Sequence, residues 1–273
     1  MLRRSPVVAG SFYPSNPQRL AGDVEEYLNG AGKARLDGEL VALIVPHAGY
    51  VYSGPVAAYS YALLEGSGVE LVIVLAPSHR ARFSGASVWP SGAFDTPLGS
   101  VPVDQELGSR LEKQPHISFI KEAHLNEHSL EVQLPFLQKT LPSFSLVPLI
   151  IGTVDLGLCR AIAAEIASVL ENETRKFAVV ISTDLSHYFP YERAKKIDGM
   201  FISRLTGFDL DALAQSLGVE ESQACGEGPV LTGLALAKIM GARAVEILKY
   251  ANSGDTAGGK DQVVGYLAAA VVK

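Results

Sequence analysis

Short, unbroken apolar runs alternate along this chain with longer stretches of helical periodicity. Residues 41–45, 71–76, 145–150 and 177–181 are continuously apolar, as strands covered on both faces are. Two further runs, 245–248 and 263–272, close the chain. Helices are predicted over 20–28, over 57–64 behind a Ser53 or Gly54 cap with Pro55 in the first turn, over 105–111 behind Asp104 and over 156–170 behind Asp155. A further helix is expected to open at Asn126 and carry Leu130, Leu134 and Leu137 on one face. Residues 192–217 are helix-rich, and Pro229 starts a helix to Met240. Residues 88–103 carry Pro and Gly at close intervals and suggest an edge hairpin. Helices alternating with buried strands predict an α/β fold, three layers αβα around a mainly parallel central sheet. No repeat or linker interrupts the pattern, so residues 1–273 are expected to form a single domain.

Composition narrows the picture. Of 273 residues 48% are hydrophobic and 19% charged, a globular balance. A net charge of −6 argues against a nucleic-acid partner. Two cysteines, Cys159 and Cys225, cannot supply a disulfide framework, which points to a reducing cytoplasm. The opening MLRRSPVVAGSFYPSNP lacks the apolar core of a signal peptide, and no apolar run is long enough to span a bilayer, so no membrane association is expected.

The candidate chemistry sits where the runs end. His47 follows 41–45 in VPHAGY, and His79 follows 71–76 in APSHR. A third junction, STDLSHY, carries Asp184 and His187. Loops at the ends of parallel strands meet over one crevice, and neutral imidazole is a preferred transition-metal ligand. Asp184 could ligate a metal or orient a histidine, and His187 could act as an acid/base; equally, Ser182, Thr183 or Asp184 could cap a helix. Cys225, in ACGEGP, is expected on an exposed, sharply turned loop whose following helix lowers the thiol pKa. Cys159 reads as core. His128 at a helix start suits a site and packing equally, and His116 and His124 receive no role. Phe12, Tyr50, Tyr52 and Trp89 are candidates to line a pocket.

VAGSFYP, PHAGYVYSGPVAA, APSH, FDTPLG, NEHSLEVQLPF, STDLSHY and ACGEGP, in this order, resemble the Memo family, whose bacterial and archaeal branch is called AmmeMemoRadiSam system protein B. The resemblance runs from near residue 7 to the final strand. It implies a fold similar to class III extradiol dioxygenases and a crevice holding one metal ion, iron(II) or copper, with zinc also admissible. Carried over, His47, His79 and Cys225 are the ligands, Asp184 and His187 stand beside them, and His187 takes the acid/base place. The implied partners are a radical-SAM protein and a third protein encoded nearby. A thiolate in place of a carboxylate makes the site softer, so catechol cleavage does not follow from the fold. Redox chemistry at the metal is the leading expectation. The alternatives are a module binding a peptide or small molecule between Tyr50, Tyr52 and the histidines, with Phe12 and His128 in its lining, and a zinc hydrolase.

Overall fold

The computed structural model describes residues 2–32, 34–218 and 222–273. Nine strands of these residues form one sheet: β1 (Leu40–Val45), β2 (Leu71–Pro77), β3 (Ala86–Val88), β4 (Ile117–Ser118), β5 (Ser145–Ile151), β6 (Phe177–Ser182), β7 (His187–Phe189), β8 (Ala244–Asn252) and β9 (Val263–Val272). The spatial order is β7-β9-β1-β6-β2-β5-β3-β4, with β8 also paired to β9. Its centre, β1-β6-β2-β5, is parallel throughout. These are the four unbroken apolar runs of the sequence. Antiparallel pairings, β9 on β1 and β3 on β5, extend the sheet at both edges.

Side chains alternate across the sheet, and the alternation divides the core into two layers. Ile73, Leu75, Val179 and Ile181 face one side, with Cys159, Ile162 and Ile166 of helix α4 (Leu156–Leu170) and Val230 and Leu234 of α6 (Glu227–Ile239). Val72, Val74, Ala178 and Val180 face the other, with Leu20 and Val24 of α1 (Pro17–Ala31), Tyr61 of α2 (Tyr50–Tyr61) and Phe136 of α3 (Leu134–Thr140). The result is the three-layer αβα arrangement. Helix α5 (Tyr191–Thr206) and the helix Leu210–Gly218 complete the first face. Asp104 and Asp155 cap their helices as expected, each accepting a backbone N–H of the first turn. None of the described helices is long and apolar enough to cross a membrane.

Three local expectations are corrected. The segment after Asn126 is not one helix: it runs as a loop, then a 3₁₀ turn at Glu131–Gln133, then α3. The Glu127 carboxylate captures the N–H groups of His128 and Ser129, so these residues serve the loop instead of opening a helix. Helix α2 starts at Tyr50 behind Gly49, and Pro55 lies inside it. Asp184 and its neighbours cap no helix, because β7 follows directly and the Asp184 carboxyl binds the backbone of His47. The hairpin expected over 88–103 is present as Ala93–Thr96 with Gly99–Pro102, but with Arg3–Arg4 it forms a separate small sheet.

Candidate metal centre

Strands β1, β6 and β2 lie side by side and point the same way, so the residues just beyond them converge. His47 follows β1, Asp184 follows β6 and His79 follows β2. The His47 and His79 ring centres are 5.2 Å apart, and His128 stands 5.6 Å from His47 and 4.8 Å from His79, stacked on the latter. His47 Nε2 is 3.0 Å from Cys225 Sγ.

Two sets of potential ligand atoms lie mutually within 4.8 Å: His47, His79 and His128, and His47, Asp184 and Cys225. His47 belongs to both. His79 and Cys225 fall in different sets. His128, expected only to line the crevice, stands as close to His47 and His79 as a ligand would.

The hydrogen bonds around the cluster decide which ring nitrogens are free. Ser182 Oγ donates to the Ser129 carbonyl (2.8 Å) and accepts from Gln133 Nε2 (2.9 Å). Its one proton is thereby used, so His47 Nδ1, 2.7 Å away, is the donor in that contact. His47 Nε2 is left bare and faces Cys225. The Glu127 carboxylate accepts from His79 Nδ1 (2.9 Å) and from the His79 backbone N–H (2.5 Å). His79 Nε2 is bare too. A carboxylate or hydroxyl behind each imidazole is the arrangement that fixes the tautomer of a metal-ligating histidine.

Charge states follow from the same surroundings. Burial drives His47 well below the ordinary histidine range, with His79, His128 and His187 adding repulsion. Burial also lowers His187, and lowers His128 to about 4. For Glu127, burial acts upward, but hydrogen bonds from His79 and Ser129 outweigh it and hold the carboxyl at about 2. The Asp184 carboxyl is pushed up to about 7 by burial, against the pull of N–H donors from His47 and Ala48. His47, His128 and His187 are therefore held toward the neutral form, beside the firm Glu127 carboxylate.

Cys225 differs from expectation. The residue is half-buried instead of exposed, and its thiol is held well above the ordinary range, first by burial and then by Asp184. The two glycines explain why the loop is pressed down. A Cβ on Gly226 would meet the Ser182 carbonyl at 2.4 Å, and one on Gly228 the Thr153 carbonyl at 2.1 Å. Cys225 Sγ accepts from Asp184 N–H (3.2 Å), and Gly226 N–H donates to Thr183 Oγ1 (3.0 Å), so the loop is tied to the end of β6. A metal cation at the sulfur would reverse the thiol's preference.

The aromatic candidates divide. The Phe12 ring packs 4.9 Å from His128, and Tyr52 is partly exposed. Tyr50 is buried, and its hydroxyl donates to the Val132 carbonyl, so it serves the core and a separate surface cleft with Tyr13 and Tyr27. Trp89 is wholly core. A pocket of about 260 Å³ opens beside His187 and Cys225, walled by Leu185, Leu217, Gln223 and Glu227. Tyr188, 69% exposed and at φ 62°, stands at the surface next to His187. His116 Nδ1 hydrogen-bonds the Glu165 carboxylate (2.6 Å), and His124 is buried against Trp89.

Sequence reasoning missed the supports. Arg4, almost fully buried, donates to the Glu131 carboxylate, to the Glu127 carbonyl and, at 3.1 Å, to the His124 carbonyl. Glu131 also accepts from the N–H groups of Val7 and Val8. This network pins the N-terminal segment to the loop that presents Glu127 and His128. The signal was present as two acids four residues apart, Glu127 and Glu131, in a segment with an apolar face.

Fold and cluster together define a class: an α/β protein with imidazoles, a thiol and a carboxyl gathered at the C-terminal ends of parallel strands. The Memo-like protein family matches this chain over residues 4–270. The MEMO1 family proteins of Saccharolobus solfataricus and Methanopyrus kandleri are 41% and 40% identical to it, each over 98% of this chain and 98–99% of its own length. The MEMO1 family protein of Saccharolobus islandicus strain L.S.2.15 is similar to the same degree, 40% over 98% of the chain. The chain belongs to the Memo family. An uncharacterized Escherichia coli K12 protein of known crystal structure is similar in fold, with a TM-score of 0.53 at 18% identity over 85% of this chain and all of that one.

Proposed function

We propose that this Memo-family chain holds one redox-active metal ion, iron(II) or copper, between its strand-end loops, and that it acts in a reducing compartment such as the cytoplasm. The observation that carries the reading is His47. Its Nε2 is bared by the Ser182 contact and is shared by two three-residue sets of ligand atoms. His47, His79 and Cys225 would hold the ion, with His128 and Asp184 completing the set. Imidazoles with a thiolate and a carboxylate form a donor set that suits iron, copper or zinc better than magnesium or calcium. When bound, the ion would supply one-electron chemistry. The chain's own part is to keep His47 and His128 neutral, fix the tautomers of His47 and His79 through Ser182 and Glu127, and offer His187 as a proton-transfer group beside the pocket. Both cysteines are free, as a thiol ligand requires.

A peptide held between Tyr50 and Tyr52 is less favoured, because the Tyr50 hydroxyl is already bonded within the core. The test is elemental analysis of metal-stripped protein reloaded anaerobically with iron(II), copper or zinc, beside His47→Ala and Cys225→Ala. One equivalent of iron or copper in the parent, lost in both variants, is expected. Retention of zinc alone favours the hydrolase alternative. Equal, negligible metal in all three proteins overturns the reading.

A further inference from the structure

Where β7 gives way to α5, a second group of side chains gathers on the surface next to the crevice. The Arg193 guanidinium lies 4.6 Å from the centre of the Phe189 ring. The Lys195 and Lys260 ammonium groups lie 5.3 and 4.6 Å from the centre of the Tyr191 ring. Lys196 is exposed on the same helix turn. Among the described residues none of these four cations makes an ion pair, although Glu192 and Asp261 are their sequence neighbours. The Asp255 carboxylate accepts instead from the Tyr191 hydroxyl (2.6 Å) and the Asn252 N–H (3.0 Å). The chain as a whole carries −6. Four cations, two of them over one ring, against the three exposed carboxylates Glu192, Asp255 and Asp261 leave this face with a local excess of positive charge on an acidic chain.

We infer that this face docks an acidic, extended polypeptide segment of a partner protein. The rings hold the cations at set positions, so less side-chain freedom is lost when carboxylates arrive. Complementary charge of this kind steers encounter and sets register. The same geometry disfavours single-stranded nucleic acid. Such ligands need open aromatic faces for base stacking, and the Phe189 and Tyr191 rings are already engaged by Arg193, Lys195 and Lys260. The docked segment runs past the exposed Tyr188, at the edge of the crevice. The inference is independent of any metal, since none of these residues belongs to the histidine cluster.

The test is fluorescence anisotropy of the full chain with a labelled ten-residue peptide of alternating Glu and Ala. Binding that weakens with added salt is expected. The double variant Lys195→Glu with Lys260→Glu should lower affinity about tenfold or more. Lys113→Glu with Lys121→Glu changes charge equally near β4, the opposite edge of the sheet, and should leave binding unchanged. Thermal midpoints of both double variants should match the parent, because all four side chains are exposed. Absence of peptide binding at low salt overturns the inference. So does an equal loss in both double variants, tighter binding of a ten-nucleotide thymidine strand, or self-association of the chain that disappears in the Lys195/Lys260 variant. Metal loading, measured in parallel, should be the same in every variant.

Discussion

His47 Nε2 and Cys225 Sγ, 178 residues apart in sequence, lie 3.0 Å from each other. Neither residue reaches the other by its own flexibility. His47 is placed by the end of β1 and by the Asp184 carboxyl that accepts its backbone N–H (2.7 Å). Cys225 is placed by a loop that can approach β6 only because Gly226 lacks a Cβ. The Cys225 thiol should therefore resist iodoacetamide at neutral pH in metal-free protein, since its half-buried setting beside Asp184 holds it protonated. Gly226→Ala should force the loop outward and raise the alkylation rate. A thiol that reacts as fast in the parent as in the unfolded chain counts against the placement.

Glu127 should govern metal affinity without being a ligand. Its carboxylate accepts from His79 Nδ1, His79 N–H, His128 N–H and Ser129 N–H. Glu127→Gln replaces one acceptor oxygen by a donor and sets it against these N–H groups. Loss of such a partner behind a ligating histidine lowers affinity by about 10–100-fold. Competition with a chelator measures this, and ¹⁵N spectra of His79 should show the Nδ1–H tautomer giving way to a mixture. An unchanged affinity would remove Glu127 from the site.

The Arg4–Glu131 pair is buried on both sides, with side-chain exposures of 1% and 0%. Removing one partner strands the other, which costs about 3–5 kcal/mol. Arg4→Met should thus destabilise strongly in urea unfolding, while Arg4→Met with Glu131→Gln should recover a large part of the loss. Arg4 also holds the Glu127 and His124 carbonyls. Both variants lack that hold, so the folded fraction of each should bind metal more weakly than the parent.

Much of the architecture was legible because the central strands are buried on both faces and their apolar runs are unbroken. The helix N-caps at Asp104 and Asp155 were legible for an equally local reason. The loop after Asn126 was not. Helical periodicity in Leu130, Leu134 and Leu137 competes there with a carboxylate that binds three backbone N–H groups, and no local rule weighs one against the other. Cys225 was misjudged for a related reason. Two flanking glycines mark either an exposed turn or a backbone packed tightly against another, and only the distant Ser182 and Thr153 carbonyls distinguish the two. His47, His79 and Asp184 could be picked out as a group because each follows a parallel strand. Ser182 and Gln133, which set the tautomer of His47, carry no pattern that a single sequence reveals.

Acid should weaken the metal-free fold through its buried imidazoles, and His124 separates that effect from the site. Burial, with Arg4 adding repulsion, holds His124 down to about 3, while the unfolded chain's histidine protonates near 6.5. The folded state thus binds fewer protons than the unfolded state between these values, so stability falls as pH drops through that window. Within it, one such group contributes a slope approaching 1.4 kcal/mol per pH unit. His128, held at about 4, and His47 and His187, also lowered, act in the same direction. His124→Gln retains an amide that can meet Ser87 Oγ, which His124 Nε2 contacts at 3.0 Å, but does not titrate. Urea unfolding of parent and variant at pH 7 and pH 5 should give a smaller stability loss for the variant, by close to one proton's slope. An identical loss in the two proteins would mean that His124 already takes up its proton in the folded state, against the burial that surrounds it.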